Sequence, residues 1–423
     1  MHAEELTSKL TRLLEELQDN QRTLQQIQLG GPSTLTLATS AWDAVKDALD
    51  EDVLLPVRMA YADVWQFNTF IEAKSPLTDL TLRTTVSLAL AEQRLSASVG
   101  MSPAERFRGC LVGLAVGDAV GTAVEFRSRG TFEPLTDMVG GGPFRLRPGQ
   151  WTDDTSMALC LGTSLLEQRG FDPADQMSRY CRWVDQGYLS STGTCFDIGT
   201  TTVRALRRYQ RDGNPYAGSP DPALAGNGCI MRLAPIPMYF CPHLDVVERL
   251  AADSARTTHG AEECLDACRL FARIICRALL GRSKDEVLLG DADSLVAEER
   301  VTAIARGSYR RKPESAIRGS GYVVQSLEAA LWVFDRTHTL ADAILMAANL
   351  GEDADTTAAV CGQLARAFYG ASAIPPHWFE RLAFRAEITK LADQLRLHTL
   401  RIPRSHEGTA AEQYNPGTDT PSV

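Results

Sequence analysis

"ERFRGCLVGLAVGDAVGTAVEF" (105–126) sets the texture of the chain. Gly and Ala alternate with Val and Leu at helical spacing, a composition suited to helices that pack closely. The same apolar periodicity returns in "SMALCLGTSLLEQ" (156–168), "VVERLAADSART" (246–257), "ECLDACRLFARIICRALL" (263–280), "SLEAALWVF" (326–334), "LADAILMAANL" (340–350) and "TAAVCGQLARAFYG" (357–370). Clear period-two alternation is hard to find anywhere, so the sequence predicts an all-α main domain over residues 103–404.

The first hundred residues read differently. They hold eight Lys and Arg against fourteen Asp and Glu, six of the ten net negative charges. "EELTSKLTRLLEELQDNQRTLQQI" (4–27) places Leu6, Leu10, Leu13, Leu17, Leu24 and Ile27 on an amphipathic seam, which Gly30-Gly31-Pro32 interrupts. Further helical stretches are predicted near 40–50, 57–73 and 80–95. Residues 1–100 thus read as an N-terminal helical module that packs on the main domain or binds a partner. Residues 405–423 lack apolar periodicity and read as a flexible tail.

The net charge of −10 over 423 residues opposes binding to a nucleic-acid backbone. The ten cysteines are scattered through apolar helices without Cys-x-x-Cys spacing, and no secretory signal pattern is seen. Buried free thiols in a reducing cytoplasm are the expectation. No apolar stretch is expected to span a bilayer.

"WTDDT" (151–155) stands directly before an apolar helix. Thr152 suits a helix N-cap, Asp153 and Asp154 suit the positive end of the helix dipole, and Trp151 could staple the start. A second acid cluster, "GEDADTT" (351–357), begins another small-residue helix. There Asp355 or Thr356 could again serve as a cap. Carboxylates and hydroxyls around tight loops are also what Mg²⁺ and Mn²⁺ choose. Should the two loops meet, Asp153, Asp154, Asp353 and Asp355 would repel one another, and two divalent cations would remove that cost. Asp118 and Glu125 lie seven residues apart on one helical face. They form either the polar edge of a packing helix or a carboxylate reaching into the metal site.

Five motifs occur in order: "GDAVGTAVE" (117–125), "WTDDT" (151–155), "GNGCIMRLAP" (226–235), "TTHG" (257–260) and "DADT" (353–356). Together they resemble the ADP-ribosylglycohydrolase family, most closely its bacterial dinitrogenase-reductase-activating branch, over about residues 103–375. The resemblance implies a compact all-α fold with a binuclear Mg²⁺ or Mn²⁺ centre held by Thr152, Asp153, Asp154, Asp353, Asp355 and Thr356. Many members have Gly-Gly-Asp where this chain has Gly351-Glu352-Asp353, and Glu352 would add negative charge nearby.

The reaction implied is hydrolysis of the bond between ADP-ribose and a protein side chain, most closely arginine. Asp197, in the Gly/Ser/Thr-rich "STGTCFDIGTTTVRAL" (191–206), is the candidate acid, or simply a helix-start Asp. Glu125 and Asp154 are further acid-base candidates. The amides of Gly226, Asn227 and Gly228 are expected near a pyrophosphate, and His259 near the nucleotide. The expected partner is an ADP-ribosylated protein. An ADP-ribosyltransferase toxin is a second, with the chain as its immunity protein. The alternative is a protein-binding inhibitor acting through residues 1–100.

Overall fold

The computed structural model describes residues 103–290, 297–370 and 374–399. The expected module at 1–100 and tail at 405–423 lie outside them. The first half contains α1 (Pro103–Gly121), α2 (Asp153–Glu167), α3 (Pro173–Gln186), α4 (Thr200–Asp212), α5 (Pro235–Phe240), α6 (Leu244–Arg256) and α7 (Glu262–Leu279). The second contains α8 (Lys284–Leu289), α9 (Glu299–Ala305), α10 (Val323–Arg336), α11 (Leu340–Ala348), α12 (Ala354–Tyr369), α13 (Pro376–Arg381) and α14 (Arg385–Thr399). Only isolated β-bridges join the described residues elsewhere, so the fold is all-α, as the periodicity predicts.

Helices α1 and α12 run antiparallel with their backbones in contact. Gly109, Gly113, Gly117 and Gly121 recur every fourth residue and so form one stripe along α1. A Cβ at these positions would lie 2.5, 2.2, 2.2 and 2.4 Å from the carbonyl oxygens of Arg366, Gly362, Ala358 and Ala354. Gly362 meets the carbonyl of Gly113 in the same way, at 2.2 Å. Hydrogen alone fits this seam. On the other faces of α1, Leu111, Val112, Leu114, Val116 and Val120 are buried. Each such side chain contributes about 1.5–3 kcal/mol, which holds α1 at the centre of the core.

Contrary to the expectation from sequence, Ala104–Val124 is long and apolar enough to cross a membrane. Most of it is buried against other helices, which accounts for its apolarity. The thiols follow the expectation: all ten cysteines are free, with eight buried and Cys181 and Cys195 half-buried.

The seam carries a stability prediction. Gly117→Ala forces α1 and α12 apart and should cost about 3 kcal/mol, the upper end of ordinary overpacking. Urea unfolding measures it, and an unchanged midpoint would show that the backbones are not in contact.

Candidate active site

The seam ends where the chemistry begins, because the C-terminus of α1 meets the N-terminus of α12 at Gly121 and Ala354. The predicted self-capping occurs only in part: Oδ1 of Asp355 accepts from the N–H of Thr356 at 2.7 Å. Thr152 sits at the N-cap of α2 and Asp353 at the N-cap of α12, yet neither side chain makes a cap hydrogen bond. Carboxylates from α1 and the turn after it take that role. Oδ1 of Asp118 accepts from the backbone N–H and hydroxyl of Thr152 at 2.8 and 2.9 Å. Its Oδ2 accepts from the N–H and hydroxyl of Thr155 at 3.0 and 2.6 Å. Oε2 of Glu125 accepts from the N–H groups of Ala354 and Asp355 at 2.7 and 3.2 Å. Each helix N-terminus thus has its orphan donors and partial positive charge met by an imported carboxylate.

Capping from outside releases the local side chains toward each other. The two loops meet: the hydroxyl of Thr152 lies 3.3 Å from Oδ2 of Asp355, and that of Thr356 lies 3.4 Å from Oδ2 of Asp154. Thr152 also reaches Asp154 Oδ2 at 3.4 Å. Asn227 donates to Asp353 at 3.0 Å, orienting that carboxylate. Carboxylate oxygens of Glu125, Asp353 and Asp355 lie within 4.8 Å of one another. Glu125 is therefore both a cap and a neighbour of the acid cluster, whereas both oxygens of Asp118 are engaged in capping.

Burial raises the pKa of every carboxyl group here. Asp118 is pushed up to about 6. Burial, with Asp353 close by, takes Glu125 to about 8. Asp153, Asp154 and Asp355 rise well above the usual range through burial and then through mutual repulsion. Asp353 rises by burial alone, opposed by its hydrogen bonds. Oδ1 of Asp154 is buried with no hydrogen-bond partner, which costs about 1–3 kcal/mol if nothing else meets it. Hydroxyl and carboxylate oxygens, an orphaned carboxylate oxygen and mutual repulsion together fit hard divalent cations. Thr152, Asp153, Asp154, Asp353, Asp355 and Thr356 are the side chains in place to hold them, with Glu125 beside them.

A cavity of about 550 Å³ opens onto this cluster, lined by Glu125, Asp153, Asp353, Asp355 and Thr356. Asp197 lines it too, with φ at 62°, a strained value for a non-glycine residue. Its carboxyl group is raised to about 7 by burial and by Asp118 and Asp353. The loop carrying it is tied to "WTDDT" by Ser191, whose hydroxyl donates to the carbonyl of Trp151 at 2.5 Å. Nothing in the local sequence marks Ser191 for that role. Trp151 is fully buried and donates to the carbonyl of Ala383 at 3.1 Å, stapling the start of α2 to the C-terminal segment.

Gly226, Asn227, Gly228 and His259 also line the cavity, with one correction. The N–H groups of Gly226 and Asn227 are already bonded to the carbonyls of Leu224 and Gly321 at 2.8 and 3.0 Å. The glycine at 228 answers instead to His259, whose Cε1 would sit 2.8 Å from a Cβ there. His259 is buried, bonds the hydroxyl of Thr258 at 2.8 Å and is held near pKa 4 by burial, so it is neutral. Glu352 takes φ at 63°, which favours the glycine of other members, and ion-pairs with Arg318 at 2.9 Å. Its charge is thereby partly offset at the rim.

Raised carboxyl pKa values have a defined pH signature. Folded values of about 6, 7 and 8 for Asp118, Asp197 and Glu125 exceed ordinary unfolded ones. The protonated fold is therefore favoured at low pH, and that stability is lost as pH rises through this window. In chelator, the unfolding midpoint should fall between pH 5 and 8.5, and excess Mg²⁺ at pH 8.5 should restore it. A metal-free midpoint that climbs over this range, with no response to Mg²⁺, would contradict the cluster's electrostatics.

Comparison with known proteins gives a consistent picture. The ADP-ribosylglycohydrolase family profile matches residues 100–406. The ADP-ribosylarginine hydrolase Tri1 of Pseudomonas putida is 46% identical over 291 residues, covering 69% of this chain and 78% of that protein. The ADP-ribosyl-[dinitrogen reductase] glycohydrolase of Rhodospirillum rubrum is 33% identical over 295 residues, 68% of this chain and 94% of that protein. A solved ADP-ribosylglycohydrolase-related protein complex superimposes with a TM-score of 0.63 at 45% identity, over 70% of this chain and 99% of that one. With the two acid loops meeting under one cavity and the profile spanning the helical core, the chain belongs to the ADP-ribosylglycohydrolase family.

Proposed function

We propose that the chain is a metal-dependent hydrolase that removes ADP-ribose from arginine side chains of modified proteins in the cytoplasm. The observation that carries this reading is the buried meeting of Asp154 and Asp355 with two threonine hydroxyls, beside an orphaned carboxylate oxygen. Family membership supports the ADP-ribose substrate. The arginine linkage is supported by relatives such as the ADP-ribosylarginine hydrolase Tri1 of Serratia proteamaculans, 43% identical over 294 residues, 69% of this chain and 79% of that protein.

Two Mg²⁺ or Mn²⁺ ions would be held by Thr152, Asp153, Asp154, Asp353, Asp355 and Thr356. When bound, they supply orientation of the ribose hydroxyls and acidification of water. The protein's own groups do the rest. Asp197, near pKa 7 at the cavity wall, can hold a proton at neutral pH and deliver it to the leaving nitrogen. Glu125 spends one oxygen on two backbone amides and stands beside Asp353 and Asp355, where bound cations would favour its ionised form and let it take a proton from water. Asp154, with Oδ1 unpartnered, is better suited to ligation than to proton transfer. Water adds to the ribose carbon as the carbon–nitrogen bond breaks, giving ADP-ribose and free arginine. His259, neutral and buried, shapes the wall beside the Gly226–Gly228 turn for the nucleotide end.

The test is hydrolysis of arginine-, serine- and acetyl-linked ADP-ribose with and without chelator. Arginine-linked substrate should be preferred, and chelator or Asp153→Ala should lower its turnover at least about a hundredfold. Equal turnover in chelator and in the variant would remove the metal mechanism.

A second reading concerns residues 1–99, which fall outside the family match and carry much of the negative charge. We propose that this segment binds a partner, such as an ADP-ribosyltransferase toxin with a basic cleft, so that one chain blocks the toxin and reverses its product. Deleting residues 1–100 should abolish toxin binding and spare hydrolysis. Undiminished binding by the shortened chain would make the segment purely structural.

A further inference from the structure

Two phenylalanines line the cavity beside its acids, and a third packs against one of them. Phe126 follows Glu125 directly, and Phe196 directly precedes Asp197. Phe144 lies between them in space, its ring centroid 6.2 Å from that of Phe126 and 5.2 Å from that of Phe196. Phe126 and Phe144 line the cavity.

Phe126 is 67% exposed, the most exposed large apolar side chain among the described residues. Its backbone adopts φ at 63°, a conformation that a bulky residue holds only when its surroundings impose it. Here they do. The N–H of Phe126 donates to the carbonyl of Glu352 at 2.8 Å, and the N–H of Glu352 returns to the carbonyl of Arg127 at 2.7 Å. Among the described residues, the contacts of arginine or lysine over aromatic rings lie elsewhere, so these three rings have no cation of their own.

We propose that Phe126, Phe144 and Phe196 form a clamp for the guanidinium group of the arginine that gives up ADP-ribose. This rests on the arginine-linked reading above. The scissile bond must lie at the acids, and Phe126 and Phe144 line the same cavity as Glu125 and Asp197, within reach of the group that leaves. A guanidinium is planar, remains charged and is weakly hydrated, which suits it to aromatic faces. Next to buried carboxylates, such a cation–π contact is favoured by charge as well as by stacking. A neutral serine leaving group would gain neither, so the rings act as specificity residues for the arginine linkage.

The experiment uses the full chain with ADP-ribosylated agmatine, which carries the guanidinium, and an ADP-ribosylated serine peptide, which does not. Phe126→Ala and Phe144→Leu should each raise KM for the agmatine conjugate about tenfold, and Phe126→Tyr should keep the wild-type value. Calorimetric affinity for free ADP-ribose should change less than about twofold in all three, which also reports that they are folded. Unchanged KM for the agmatine conjugate, or a drop in kcat alone, overturns the clamp. An equal loss of ADP-ribose affinity also overturns it, assigning the rings to the nucleotide. A wild-type chain that ignores the agmatine conjugate but cleaves the serine peptide overturns the arginine reading and the clamp together. A clamp failure with wild-type arginine activity intact leaves that reading standing.

Discussion

The contact between the bare backbones of α1 and α12 is the constraint on which the rest depends. Four glycines in one stripe let the helices approach until carbonyl oxygens of one sit where side chains of the other would begin. At that distance the register is fixed, because any slide along the axis would drive a side chain of α1 into α12. Fixed register sets Asp118 under the start of α2 and Glu125 under the start of α12. The seam is thus a positioning device for two carboxylates, as much as a source of packing.

Imported caps resolve a conflict at the site. Positive helix ends disfavour a cation, yet two such ends point at the acid loops. Asp118 and Glu125 occupy free amides at both helix starts, so of the local acids Asp355 turns one oxygen back on its own helix and keeps the other at the cluster. The local acids crowd together, and burial with mutual repulsion holds their carboxyl groups protonated well above the ordinary range. Divalent cations bound there would convert that repulsion into binding. The same site stores backbone strain, since Phe126, Asp197 and Glu352 all hold positive φ around the cavity. Phe126 and Glu352 are pinned by the pair of backbone hydrogen bonds that joins their loops.

Much of this was legible in the chain. Helical periodicity reads correctly among the described residues, and the two acid motifs stand out as oxygen-rich helix starts. What the motifs conceal is who caps whom. Thr152 and Asp353 stand at the N-caps, but the capping carboxylates come from Asp118, 34 residues from Thr152, and Glu125, 229 residues from Ala354. No local pattern encodes a cap supplied by another helix; only the fourfold Gly spacing hints that α1 comes close enough to supply one. The Gly226–Gly228 turn misleads in part, because two of its amides are already bonded and the glycine at 228 makes room for a close side chain, His259. Ser191 and the ring trio are invisible locally, since loop-to-loop contacts leave no periodic trace.

Counting the metal ions tests the central claim most directly. Mn²⁺ titrated into chelator-stripped protein at pH 8, followed by electron paramagnetic resonance, reports the number of bound ions per chain. The account predicts two, falling to one or none in Asp355→Asn and in Thr152→Val. A folded wild-type chain that leaves all of the Mn²⁺ free at saturating concentration would contradict it.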